Sequence, residues 1–103
     1  MKVAIPTNDQ IKISKDILNC KGFLIYEVDN HALVDYEFHE NPKMNLDSEA
    51  LETLSKTLKE CSTIICAPIN SIVKTRLKEE KKQILVTMEE NAKKALINLM
   101  CRV

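Results

Sequence analysis

Hydrophobic residues in this chain change their spacing at Asn41-Pro42, from every second position to about every 3.6. Side chains alternate across a strand but return to one face of a helix after three or four residues, so two kinds of structure meet at this point. Before it, Val3 and Ile5 alternate with other residues and run into Pro6-Thr7-Asn8-Asp9, a turn composition. A short second strand is expected around Ile11 and Ile13. Phe23 to Val28 is almost continuously apolar, which suits a central strand covered on both faces. Asp29-Asn30-His31 reads as a turn, because Asp and Asn tolerate left-handed backbone and bond to it locally. Val34, Tyr36 and Phe38 then alternate with Asp35, Glu37 and His39, the pattern of an edge strand with one wet face.

Beyond Pro42, Leu51, Leu54 and Leu58 fall on one helical stripe, with Asp47 placed as N-cap and Leu46 placed to staple onto Leu51. Thr63-Ile64-Ile65-Cys66-Ala67 is a β-branched run and predicts a buried strand. Asn70 or Ser71 caps a second helix that turns Ile72, Val73 and Leu77 inward and leaves Lys78-Glu79-Glu80-Lys81-Lys82 in water. Ile84-Leu85-Val86 is the last strand. Thr87-Met88-Glu89-Glu90 reads as a capping box ahead of Ala92, Ala95, Leu96, Leu99 and Met100 at helical spacing.

Three or four antiparallel N-terminal strands followed by αβαβα specify an α/β fold: a mixed sheet in a three-layer arrangement of the ribonuclease H-like kind. Helical crossovers make neighbouring strands of the second half parallel. With 103 residues and no internal repeat or linker, one domain spanning residues 1–103 is expected. Fifteen basic and fifteen acidic side chains cancel, leaving no whole-molecule field to draw in nucleic acid or anionic lipid. The apolar runs are strand length, too short for a membrane span, and Pro6 interrupts the N-terminus too early for an export segment. A cytoplasmic protein is therefore expected.

That compartment disfavours disulfides, and Cys20, Cys61, Cys66 and Cys101 contain no Cys-x-x-Cys pair. Most of them read as small buried hydrophobes. Catalytic signals are sparse. The first strand carries no acid for two-metal nuclease chemistry, one glycine (Gly22) permits no phosphate-binding loop, and the only histidines are His31 in a turn and His39 near a strand end. The chain reads as a binding protein and not an enzyme. Ligands on open sheets gather beyond the carboxyl ends of parallel strands, here Thr7-Asn8-Asp9, Ala67 to Ser71, and Thr87-Met88. Asn70 and Ser71 precede a helix N-terminus that favours anions, although capping alone accounts for both.

Met1-Lys2-Val3-Ala4-Ile5-Pro6-Thr7-Asn8, Ile13-Ser14, Phe23 to Val28, Glu40-Asn41-Pro42, Thr63-Ile64-Ile65-Cys66 and the Ile69-Asn70 turn together resemble the dinitrogenase iron-molybdenum cofactor biosynthesis family, that of NifX, NafY and the C-terminal domain of NifB. The resemblance implies a ribonuclease H-like domain without nuclease activity that carries iron-sulfur or iron-molybdenum cluster precursors. It is less complete where ligands are expected. Ser14 keeps its place in the family's Ser-x-His-Phe-Gly pattern, but Asp16, Ile17 and Leu18 stand where His, Phe and Gly would be, and Cys20 takes the following Cys or Ala position. The His- and Gly-rich stretch is absent between Pro42 and Asp47, and Ala67-Pro68-Ile69-Asn70 replaces a Gly-Gly-Ile-Gly turn. Imidazole and thiolate suit an iron-sulfur surface, whereas Asp16 is a harder ligand and Pro68 lacks a donor. The implied ligand set is Cys20 and Cys66 as metal ligands, with Asp16, Asn70 and Ser71 around them. The alternative is a diverged module that binds a small anion or a protein, including a second copy through the edge strand at residues 34–39.

Overall fold

The computed structural model describes residues 1–41 and 47–101, with side chains described outside 42–51. Five strands and three helices follow one another as β1 (Lys2–Thr7), β2 (Gly22–Asp29), β3 (Ala32–Glu40), α1 (Asp47–Thr57), β4 (Thr63–Cys66), α2 (Ser71–Glu79), β5 (Gln83–Val86) and α3 (Ala92–Met100). They form one sheet in the order β3-β2-β1-β4-β5. The first three strands are antiparallel, whereas β4 runs parallel to β1 and β5 parallel to β4. This is the mixed α/β arrangement expected from the change of period. The expected Asp47 cap and Leu46–Leu51 staple lie outside the described residues.

Strand alternation sorts the core onto two sheet faces. Ala4, Phe23, Ile25, Ile64 and Cys66 pack on one side with Leu54 and Leu58 of α1 and Val73 and Leu77 of α2. Val3, Ile5, Leu24, Tyr26, Val28 and Ile65 pack on the other with Ala92, Ala95 and Leu96 of α3. Leu58 and Leu77 expose no surface, and burial of each contributes about 2 kcal/mol.

The β2–β3 connection has Asn30 and His31 at φ 51° and 64°, the left-handed pair that a two-residue turn matched to strand twist requires. At the β2 origin, Gly22 lies beneath the Phe38 ring: a Cβ there would stand 2.4 Å from Phe38 Cζ and 2.5 Å from the His39 carbonyl oxygen. The chain's one glycine is thus needed for a close approach between neighbouring strands.

Four expectations are corrected. Ile11 and Ile13 do not form a strand, which leaves three antiparallel strands. Thr7 Oγ1 accepts from Gln10 N and donates to the Lys12 carbonyl, while Asp9 Oδ1 accepts from Ile11 N and Lys12 N. With Gln10 at φ 65°, this loop is wound too tightly for a ladder, and only isolated bridges remain, Thr7 to Ile13 and Lys12 to Asn91. Those bridges also displace the third helix start. The amide of Ile13 donates to the Glu90 carbonyl and that of Ala92 to the Ile11 carbonyl, and Asn91 between them is held extended. Helix α3 is capped by Asn91 Oδ1, which accepts from Lys94 N, and not by the Thr87–Glu90 box.

Ile72 points outward, 66% exposed, while Val73 and Leu77 are buried as expected. Lys82 is buried, not solvated: its Nζ donates to the carbonyls of Leu58 (2.6 Å) and Cys61 (2.8 Å), closing the end of α1. Carbonyls left over at a helix C-terminus attract a cation, which explains a lysine in the interior.

Candidate functional site

The chain builds β2 and β3 on one side of β1 and β4 and β5 on the other, so the topological switch lies between β1 and β4. Ladder partners there are Val3–Thr63 and Ala4–Ile64, and pairing goes no further toward the carboxyl ends. Pro6 has no amide hydrogen with which to continue it. The switch point thus faces the loops after Thr7 and Cys66, where ligands of open sheets sit.

Cys20 and Cys66 both belong to the packed cluster on the α1–α2 face, at 4% and 0% exposure. Cys66 ends β4. Cys20 lies in the turn that enters β2, where its thiol donates to the Gly22 carbonyl at 3.3 Å. Asn41 clamps that turn, its Nδ2 donating to the carbonyls of Leu18 and Cys20 at 3.0 Å each. Asn8 holds it from the other side, with Oδ1 accepting from Lys21 N and Nδ2 donating to Ser14 Oγ. Burial pushes both thiols up to about 11. Lys74 lowers Cys66 only slightly against that, and backbone amides do the same for Cys20. Burial therefore favours the thiol over the thiolate, the form that binds metal. Cys61 is likewise buried and its thiol raised by desolvation.

Asp16 is exposed beside this turn, but its carboxylate is already engaged. Oδ1 accepts from Leu18 N and Asn19 N, and Oδ2 from Asn19 Nδ2. These bonds, the Asn19 side chain first, hold its carboxyl below the usual range. Asn70 caps α2, Oδ1 accepting from Ile72 N at 2.7 Å. Ser71 is exposed and opens a shallow groove of about 370 Å³ that continues along Ile72, Thr75, Arg76 and Glu79. Arg76 is not free for an anion there, since it binds Glu52 at 2.8 Å and Glu80 at 3.0 Å.

Cys20 and Cys66 thus lie within the same core cluster, Asp16 is used in a turn, Asn70 caps α2, and Ser71 is exposed at the first position of that helix. Among the described residues, no three His, Cys, Asp or Glu side chains are grouped so as to hold a metal ion. The donor chemistry suits an iron-sulfur ligand, but the two thiols are protonated and sealed, so a cluster does not fit this conformation. Asn8 and Asn41, which lock the Cys20 turn, were not among the residues expected from sequence. Their signal was modest: an Asn following each of two strands.

A family profile described as dinitrogenase iron-molybdenum cofactor matches residues 1–100. The chain belongs to that family. Solved structures with the same fold include PH0822 (TM-score 0.83, 13% identity, covering 98% of this chain and 89% of that one) and a candidate dinitrogenase of Methanocaldococcus jannaschii (0.75, 24%, 97% and 88%). The apo form of the orange protein of Desulfovibrio gigas is similar too (0.79, 11%, 97% and 87%). At these identities the likeness is one of fold. A comparison with curated proteins finds no significant match. Among the described residues, no helix of this family member is long and apolar enough to cross a membrane.

Proposed function

We propose that residues 1–103 act as one non-catalytic binding domain, diverged within the iron-molybdenum cofactor family toward holding a protein partner or small anion. The observation that carries this reading is the state of the two candidate thiols. Cys20 and Cys66 sit in the core with their thiols raised to about 11, and the polar side chains around them are spent on the turns and caps that hold the loops. A scaffold of this kind keeps its loops rigid without offering free metal donors. Neither histidine supplies a base for nucleophilic chemistry: His31 lies in the hairpin turn, and His39 Nε2 is 2.8 Å from Glu37 Oε1 at the sheet edge.

A second reading rests on Cys20 and Cys66 sharing one cluster beside the switch point. In a cluster carrier these two thiols would be the metal ligands for an iron-sulfur or iron-molybdenum precursor as cargo, with Asp16, Asn70 and Ser71 at the entrance. Loading would require the Ile17–Lys21 turn to open and both thiols to ionise. Anaerobic incubation with iron and sulfide separates the readings. Colourless protein is expected. A brown protein whose absorption fades in a Cys20→Ser, Cys66→Ser variant would reject the first reading in favour of the carrier.

A further inference from the structure

Charge is segregated along this neutral chain. From Gly22 to Pro42 there are five carboxylates (Glu27, Asp29, Asp35, Glu37 and Glu40) and no Lys or Arg, against fifteen basic residues elsewhere. This stretch is the β2–β3 hairpin, and β3 is the sheet's outer strand. Its nine residues are exposed except Phe38, which is partly buried. On its inner side β3 pairs with β2 at every residue except Val34, where a bulge opposite Glu27 and Val28 interrupts the ladder, and among the described residues no strand pairs with its outer side. Half of its backbone donors and acceptors are therefore open to a new strand.

The two faces of this edge differ in chemistry. Tyr36, opposite Tyr26, and Phe38, opposite Leu24, extend the apolar α3 face of the sheet past the end of its cover, and Val34 stands at the bulge beside them; Val34 and Tyr36 are 62% and 60% exposed. The Tyr36 ring is held in place by stacking on Tyr26, centroids 5.9 Å apart. The opposite face presents Asp35, whose Oδ1 accepts from Tyr36 N at 2.8 Å and whose Oδ2 has lone pairs to spare, and Glu37, whose Oε1 is shared with His39 Nε2 at 2.8 Å; Glu27 lies directly across from Asp35 on β2. Glu27 Oε2 is buried and has no hydrogen-bond partner among the described residues. Lys2 is the cation nearest in register to Glu27, but its ammonium is committed to Glu60 at 3.1 Å.

We infer that β3 is a docking edge for an extended segment in which Lys or Arg alternates with apolar residues. Such a segment adds a sixth strand, with its apolar side chains on Val34, Tyr36 and Phe38 and its cations on Asp35 and Glu37. Backbone bonds supply affinity, and the period-two match of charge and apolar surface supplies selectivity. A second copy of β3 is the poorer occupant. Antiparallel pairing about Tyr36 would set Asp35 against the copy's Glu37 twice, and like charges directly opposite are destabilising. This inference does not depend on which ligand the carboxyl end of the sheet takes.

The test is an NMR titration of the isotope-labelled full chain with a soluble eight-residue peptide of alternating Lys and Val. Amide shifts and slowed hydrogen exchange are expected within Ala32–Glu40, with affinity falling as salt rises. A Glu/Val peptide, and a Lys/Val peptide interrupted by prolines, should leave β3 unchanged. Both side chains being exposed, an Asp35→Lys, Glu37→Lys variant should keep its fold and lose at least tenfold in affinity. No shifts with the Lys/Val peptide, shifts centred elsewhere, or equal binding of the proline-interrupted peptide would overturn the proposal. So would a free protein that light scattering shows to be a dimer with β3 amides already protected, since the edge would then be covered by a second copy.

Discussion

Replacing Gly22 by Ala tests the packing of the sheet edge against a number the structure supplies. Gly22 has an ordinary negative φ, so alanine adopts its backbone without strain, and the loss of chain freedom in the unfolded state favours the variant by about 0.4–1 kcal/mol. Against this, the new Cβ would lie 2.4 Å from Phe38 Cζ and 2.5 Å from the His39 carbonyl oxygen. The ring can swing away only by giving up its contact with the α3-side core, and the carbonyl can move only by disturbing the Gly22–Glu40 and Phe23–His39 pairs. Overpacking of this kind costs about 1–3 kcal/mol, and with a backbone atom in the contact the upper part of that range applies, leaving a net loss of about 2 kcal/mol. In a chain of this size that lowers Tm by roughly 10 °C. Urea unfolding should show a reduced midpoint with an unchanged slope. Adding Phe38→Ala should restore little, because it removes the ring contact but not the one with the His39 carbonyl. A Gly22→Ala protein as stable as the parent would refute the close approach of β2 and β3.

Lys82→Met should cost about 1–3 kcal/mol in urea unfolding, because it leaves the Cys61 carbonyl without its donor and the Leu58 carbonyl with the Cys61 amide alone; an unchanged midpoint would mean that the ammonium is in solvent. Stability should be level through neutral pH and fall between about pH 9 and 11. The unfolded Cys20 and Cys66 thiols ionise near 9 while the folded ones are held to about 11, so the stability due to their protonation is present below 9 and is lost as pH rises through 11, on the order of 2 kcal/mol for each. Tyr26, also raised by burial, acts in the same direction. Chemical denaturation over pH 7–11 measures this, and a Cys20→Ala, Cys66→Ala variant should show a shallower decline.

Most of the architecture was legible from period alone. The run Phe23 to Val28 and the alternation from Val34 to Phe38 identified an inner strand and an edge strand, and Asn70 marked the start of α2. Misreadings came where side chain to backbone bonding or distant contacts override local pattern. Ile11 and Ile13 have the spacing of a strand, yet Thr7 Oγ1 accepts from the Gln10 amide and Asp9 Oδ1 from those of Ile11 and Lys12, which winds the segment into a turn. Thr87 and Glu90 have the spacing of a capping box, but Ile11 and Ile13, remote in sequence, bind the backbone of Ala92 and Glu90 and hold Asn91 between them extended, so the helix starts only at Ala92. Lys82 belongs to a charged run, and only the approach of the α1 C-terminus gives its ammonium a reason to be inside.

The candidate site was legible in part. That Cys20 and Cys66 share a cluster follows from the topology, since one ends β4 and the other precedes β2 on the same sheet face. Their depth was expected for cysteines in general. Asp16 looked like a replacement ligand because of its place in a family motif, and its use as a turn cap depends on the amides of Leu18 and Asn19 pointing back at it. Asn8 and Asn41 carry no catalytic or ligand signature. Their role becomes visible only when the turn they hold is in place.

The folded protein withholds Cys20 and Cys66 from chemistry at its surface. The direct measurement is the rate at which each cysteine reacts with an aromatic disulfide reagent at pH 7.5, read by absorbance and assigned by mass spectrometry. One thiol, Cys101, should react within seconds, while Cys20, Cys61 and Cys66 should react only as fast as the chain opens and all at once in denaturant. Rapid labelling of Cys20 or Cys66 in the native protein would contradict the claim and return these thiols to the surface as available ligands.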